Sequence, residues 1–243
     1  MISTNTVRNL VLFILEKENR GTISPPAYDS FGNMAQLEIF EQLFYDLNDW
    51  LVKQNKRLTN NEFANIPKNI REQIDVFTEY STPLNFTYNS TTNLWSYTGT
   101  NLYRTVGLSL VNLANKKIDI EEVSKSELNM LNNSNMVAPT LTYPAYVKLG
   151  DSYRVYPNLL PENYKVELLF IRTPKPPKWT FVNDGGNPLY NASASDLQNF
   201  ELMPSLLPKL VTKILLYCGI SLREADVVQI ASQEEIKKIQ TQN

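Results

Sequence analysis

The chain has 243 residues, 42% of them hydrophobic and 20% charged, with a formal net charge of -2, no histidine and one cysteine, Cys218. That length and composition allow a buried core, as one domain or two subdomains, and indicate neither wholesale disorder nor a membrane protein. The missing histidine rules out a Ser-His-Asp or Cys-His device, the single cysteine rules out an internal disulfide or a cysteine-rich zinc site, and the acidic balance disfavours tight phosphate binding.

From the N-terminus, Val7, Leu10, Val11, Ile14 and Leu15 recur at helical spacing and predict an amphipathic helix, with Gly21 as its stop. Arg8 ahead of residues 10–15 imitates a signal peptide. That run is shorter than the roughly 7 to 15 residues of an h-region and charge follows it at once, and no stretch reaches the ~20 apolar residues of a membrane span. The expected location is therefore a cytoplasm or a particle assembled there. Residues 22–29, with Pro25-Pro26, read as a loop. A long helix is expected over about 31–55, where Leu37, Phe40, Phe44, Leu47 and Leu51 alternate spacings of three and four. Two amphipathic helices around a proline loop predict an antiparallel pair. A third helix starts near Pro67 and buries Ile70, Ile74 and Phe77.

The period then falls to two. Leu84, Phe86 and Tyr88 alternate with polar residues and Leu94 to Tyr97 form the returning arm of a hairpin. Strands are expected over 103–111 and 118–123, and Ser124-Lys125-Ser126-Glu127 is a capping box for a short helix ending near Asn132. Gly150-Asp151 turns the chain between strands 143–147 and 153–156. On the strand 164–172, Val166, Leu168 and Phe170 face one way. Thr173-Pro174-Lys175-Pro176-Pro177 cannot stay in a ladder, because proline lacks the N–H, so an extended arm is expected. Residues 184–188 read as a turn-rich loop. Leu207, Leu210, Val211, Ile214, Leu215 and Cys218 lay out a helix face ended by Gly219, and Ser221 to Glu224 repeats the capping box before a last helix carrying Val227, Val228, Ile230 and Ala231.

The fold class is α+β: an N-terminal helical hairpin over residues 1–80, a β-rich middle with extended loops and a proline arm over 81–200, and a C-terminal helix pair over 201–243 that packs with the N-terminal helices.

Paired carboxylates are the one acid/base device this composition permits, and Glu121-Glu122, Asp184 and Glu234-Glu235 are its candidates. Adjacent carboxylates seldom face one cleft, and these read as solvated charge. Asp184-Gly185-Gly186-Asn187 lacks the alternating oxygen ligands of a calcium loop and reads as a turn. No glycine-rich phosphate loop is present. No catalytic, cofactor-binding or metal residue is assigned, and the chain is read as a non-enzyme. Phe86, Trp95, Phe170 and Phe181 are expected to be buried on strand faces. Trp179, beside Lys175, Pro176, Pro177 and Lys178, is open between a contact with a neighbouring subunit, packing in its own chain and stacking on a ligand.

In order, the helical start, YPAYVKLGDSYRVYP, VELLFIRTPKPPKW and NFELMPSLLPKLVTKILLYCGISLREADVVQIASQEE resemble the ring proteins of tailed bacteriophages, above all the head-to-tail adaptor and neck rings of crAss-like phages. The resemblance implies a structural virion protein at the head-to-tail junction. It would form a closed ring of about twelve copies below the portal protein and against neighbouring neck or tail rings, around a channel through which double-stranded DNA passes without sequence-specific binding during genome ejection. It implies no cofactor and no membrane. Pro174, Pro176, Pro177, Trp179 and Phe181 are the expected subunit-interface residues. The alternative is a glycan- or receptor-binding tail accessory using Trp95, Tyr97 or Trp179 as a sugar platform.

Overall fold

The computed structural model describes residues 1–17, 23–55, 66–81, 85–112, 116–134, 136–158, 160 and 164–222. The protein is mixed α+β, with five α-helices and a large curled sheet among the described residues. It divides into two compact units: residues 77–173, and residues 1–76 together with 174–243. The sheet unit is thus an insertion, and the stretch from Pro174 onward returns to the helical unit instead of extending a β-rich region to residue 200.

In the helical unit α1 (Thr4–Lys17) buries Val7, Val11 and Leu15 and packs on α5 (Leu207–Leu222). The expected apolar stripe is split, for Leu10 and Ile14 are exposed, as is Phe13. The second helix, α2 (Pro25–Asn55), starts inside the expected loop. Proline needs no N–H in the first helical turn and its fixed φ suits that position, so Pro25-Pro26 opens the helix, and the Tyr28 N–H reaches the Ser24 carbonyl at 3.0 Å. α5 runs back along α2. Its Lys213 bonds Glu38 at 2.7 Å, Tyr217 donates to the same carboxylate at 2.9 Å, and Tyr217 also stacks on Phe31. Burial opposes the charge on Glu38, but the Lys213 and Tyr217 bonds prevail and hold its carboxyl below the ordinary range. Gly219 does not end α5, which continues to Leu222. A buried glycine within a helix costs only about 1 kcal/mol, a deficit that packing can cover. Helix α3 (Ile66–Asp75) lies on α2 and buries Ile70 and Ile74 as expected. Gly21 and the helix expected beyond Ser221 to Glu224 lie outside the described residues, apart from Ser221 and Leu222 within α5.

The inserted unit contains β1 (Thr78–Tyr80), β2 (Phe86–Asn89), β3 (Leu94–Tyr97), β4 (Leu102–Asn112), β5 (Lys117–Glu122), α4 (Lys125–Asn132), β6 (Ala145–Leu149), β7 (Ser152–Tyr156) and β8 (Tyr164–Arg172). The sheet order is β1-β8-β4-β5-β6-β7-β3-β2. Neighbours are antiparallel except β5 and β6, a parallel pair whose connection carries α4. The Ser124 capping box forms as expected, with both the Glu127 N–H to Ser124 Oγ and the Ser124 N–H to Glu127 Oε2 bonds present. Register shifts between Leu102 and Arg104 and between Thr105 and Gly107 bend β4 against β8. The sheet curls so far that Tyr97 on β3 lies 5.0 Å, ring to ring, from Phe170 on β8, and Thr105 on β4 bonds Tyr153 on β7. Phe86, Leu110, Tyr146, Tyr153, Leu168 and Phe170 fill the enclosed core. β1 was not expected. It pairs its three residues with β8, from Thr78 opposite Ile171 to Tyr80 opposite Leu169.

Candidate interaction surface

The proline segment has no ladder to satisfy its backbone, and side chains of the helical unit do that work instead. The Lys175 N–H donates to Glu201 Oε2 at 2.8 Å, Gln36 Nε2 donates to the Lys175 carbonyl at 2.8 Å, and the Glu201 N–H donates to Gln36 Oε1 at 3.0 Å. Gln36 and Glu201 are both buried, where an unpaired polar group would be costly. Pro174 and Pro177 are buried as well, while Lys175 and Pro176 are exposed. Gly32 makes room for this packing, because a Cβ there would lie 3.0 Å from the Phe200 ring and 3.6 Å from Pro177 Cγ. Lys178 exchanges backbone bonds with Gln198 and its Nζ reaches Asp196 at 2.6 Å.

Trp179 is only 2% exposed. Its backbone N–H donates to Asp29 Oδ1 at 2.8 Å and its Nε1 to Asn5 Oδ1 at 3.1 Å. The Arg8 guanidinium carbon lies 3.9 Å from the centre of the indole, within cation–π range. Phe181 and Tyr190 stack nearly parallel to it, at 5.6 and 6.0 Å. Arg8 itself is buried and its Nε meets no acceptor among the described residues. Burial lowers its pKa, against the pull of Tyr28 and Asp29. Burial likewise raises the Asp29 pKa, opposed by the Trp179 backbone bond and by Lys178 and Arg8. Of the three roles open to Trp179, the ring fills packing within its own chain.

What leaves the body is a hairpin. β9 (Phe181–Asp184) and β10 (Asn187–Tyr190) pair antiparallel, with Phe181 opposite Tyr190 and Val182 opposite Leu189. Residues 184–188, read as a loop from sequence, are its tip. Gly185 at φ 56° and Gly186 at φ 94° supply the two left-handed residues that a tight turn matched to strand twist requires. Side chains alternate across the ribbon. Phe181 and Tyr190 point to Trp179, so Val182 and Leu189 form the opposite face, and they are 56% and 53% exposed. Phe181, expected to be buried, is still 38% exposed at the rim of the stack. The Thr180 hydroxyl donates to the Asn191 carbonyl at 2.6 Å and the Asn191 N–H donates to the Thr180 carbonyl at 2.9 Å, which ties down the hairpin base.

The surface so built is a mount whose polar groups, Arg8 apart, are hydrogen-bonded, and it carries the exposed pair Val182 and Leu189, which suits binding by burial more than bond chemistry. Among the acid/base candidates, Glu121 and Asp184 are exposed and Glu122 accepts the Tyr146 hydroxyl at 2.9 Å; Glu234 and Glu235 lie outside the described residues. Among the described residues no group of three or more Cys, Asp or Glu is placed to hold a metal ion, and no helix is long and apolar enough to cross a membrane. Trp95 and Tyr97 are half-buried, Trp95 stacked on Phe86 at 5.5 Å and Tyr97 tilted at 51° against Phe170. Sequence reasoning missed Arg8, Gln36, Glu201, Val182 and Leu189. The signal for the last two was present in Phe-Val and Leu-Tyr pairs flanking Asp-Gly-Gly-Asn, a hairpin signature. The sequence matches no protein-family model, and no curated protein matches it.

Proposed function

We propose that this chain is a structural ring subunit of the head-to-tail junction of a tailed bacteriophage. About twelve copies would stand next to the portal protein and the neighbouring neck or tail rings around the DNA channel. The observation that carries the reading is the β9–β10 hairpin, an apolar ribbon face held out from a body that clamps its base through the buried Trp179 stack. A ring built by repeating one heterologous contact needs such a fixed projection on every subunit. Pro176 and Phe181 are the exposed members of the expected interface set, while Pro174, Pro177 and Trp179 hold them in place from within. The net charge of -2 fits a wall that DNA slides past, since a basic lining would retain phosphates. The helices form the supporting body in this reading. A glycan- or receptor-binding role is less favoured, because Trp179 presents no open ring face and Trp95 and Tyr97 are committed to packing.

Labelling purified phage particles with a gold-conjugated antibody against the chain tests the proposal. Gold at the head-to-tail junction is the expected result. Gold on fibres or the tail tip would favour the receptor-binding role, and absence from both intact and opened particles would end the virion reading.

A further inference from the structure

Arg8 is a buried cation whose guanidinium bonds to no acceptor among the described residues. The residue is 9% exposed, and its guanidinium carbon lies 3.9 Å from the centre of the Trp179 indole. The Nε is sealed from solvent without an acceptor. The terminal nitrogens Nη1 and Nη2 meet no acceptor among the described residues either, but they are not sealed as Nε is. Asp29 forms no ion pair with Arg8, for its Oδ1 accepts the Trp179 backbone N–H at 2.8 Å, and the Tyr28 hydroxyl is turned to the Thr4 carbonyl at 2.9 Å. Burial opposes the charge on Arg8, and Tyr28 and Asp29 offset it only through space. A guanidinium nevertheless stays protonated at neutral pH, and a buried charge with unpaired donors is costly. The indole beneath it is fixed in turn, because Trp179 is buried and its Nε1 donates to Asn5, one turn before Arg8 on α1. The guanidinium is thus held by its stem and by the ring, with one edge left to bond.

We propose that Arg8 is the floor of an anion site that takes a single carboxylate end-on, through Nη1 and Nη2. The side-on fork of an arginine uses Nε, which is sealed here, so the end-on pair is the fork that remains. Its two N–H groups match the two oxygens of a planar carboxylate. Asp29 selects against a doubly charged phosphate, because like charges repel strongly where water is excluded. The ligand is a small organic acid or the acidic side chain of a partner, which present the same group. This site goes beyond the ring reading and stands or falls without it.

Titrating the full chain with sodium acetate, and separately with the side-chain mimic N-acetylglutamic acid amide, tests the site. The reporter is the indole N–H resonance of Trp179, identified among the three tryptophans by its loss in Trp179→Phe. A saturable shift is expected with a carboxylate and none with sodium chloride at equal ionic strength. Tighter binding of acetate would identify a small acid as the ligand, and tighter binding of the glutamate compound a side chain. Arg8→Lys keeps the charge without the fork and should weaken binding roughly tenfold or more, the loss expected for one charge-assisted hydrogen bond. Acetate should also raise the urea midpoint of the native chain by mass action, and Arg8→Met, which keeps an apolar stem against the indole, should lose that rise. Four results would each overturn the proposal: no saturable shift, an equal shift with chloride, phosphate binding tighter than acetate, or an equal rise in midpoint for Arg8→Met.

Discussion

Trp179 commits its ring and both its N–H groups inside the helical unit; truncating the side chain takes away packing, a cation–π partner and the indole bond to Asn5, while the backbone bond to Asp29 can stay. Trp179→Ala should cost about 3–5 kcal/mol, seen as a lower guanidinium midpoint with little change in slope, while Trp179→Phe, which keeps a ring in the stack, should recover part of that loss. No local pattern could have shown this, because Asn5 and Asp29 lie 174 and 150 residues away in sequence. The sequence marks Trp179 as special through its basic and proline-rich neighbours but says nothing of which surface it meets. Glu38 gives a second test at this scale. Its folded pKa is depressed, so the stability it confers is complete above the ordinary carboxylate range and is lost as pH falls through the folded value. Urea midpoints measured between about pH 7 and about pH 3 should fall more steeply for the native chain than for Glu38→Gln, which starts lower and changes less.

Local chemistry was most readable in the elements that carry their own punctuation. α4 starts where its capping box says, and β8 spans the expected 164–172 because alternation, a preceding loop and a following proline agree. Where one signal has two meanings the sequence misled: Pro25-Pro26 suits a loop or a first helical turn, and Gly219 suits a helix end or a buried helical position. β1 is too short at three residues to show a period, and it exists because β8 supplies the other half of its ladder. β9 and β10 have four residues each, too few to establish a period of two beside the glycine pair. The turn between them should be sensitive to a side chain at Gly186, where φ is 94°. Gly186→Val should destabilise the hairpin by about 1–2 kcal/mol. Faster hydrogen exchange at 181–190 with unchanged protection in α2 and α5 is the expected outcome, and a uniform loss across both helices would show that the turn supports the whole unit.

At the scale of the molecule, the mixed α+β class was legible, but the return of the segment after Thr173 to the helical unit was not, since periodicity carries no information on which distant surface a strand or arm meets. The inserted unit enters and leaves at adjacent points: Thr78 lies opposite Ile171, and the Arg172 N–H reaches the Phe77 carbonyl at 2.9 Å. Arg172 is further held by Glu79 at 2.6 Å. A fragment of residues 77–173 should therefore fold alone, with a β-type circular-dichroism spectrum and one cooperative unfolding transition; a fragment without either would show that the sheet depends on the helical unit.

The insertion also sets a timetable. α1 and α2 are made first, yet α5, on which both pack, follows α1 by about 190 residues, roughly 10 to 40 s of synthesis at the usual pace. Through that interval Val7, Val11 and Leu15 have no α5 to cover them, while the sheet between can close as soon as β8 emerges. The nascent chain completes its middle before its beginning, and a chaperone acting on it would meet the N-terminal helices as the part still waiting.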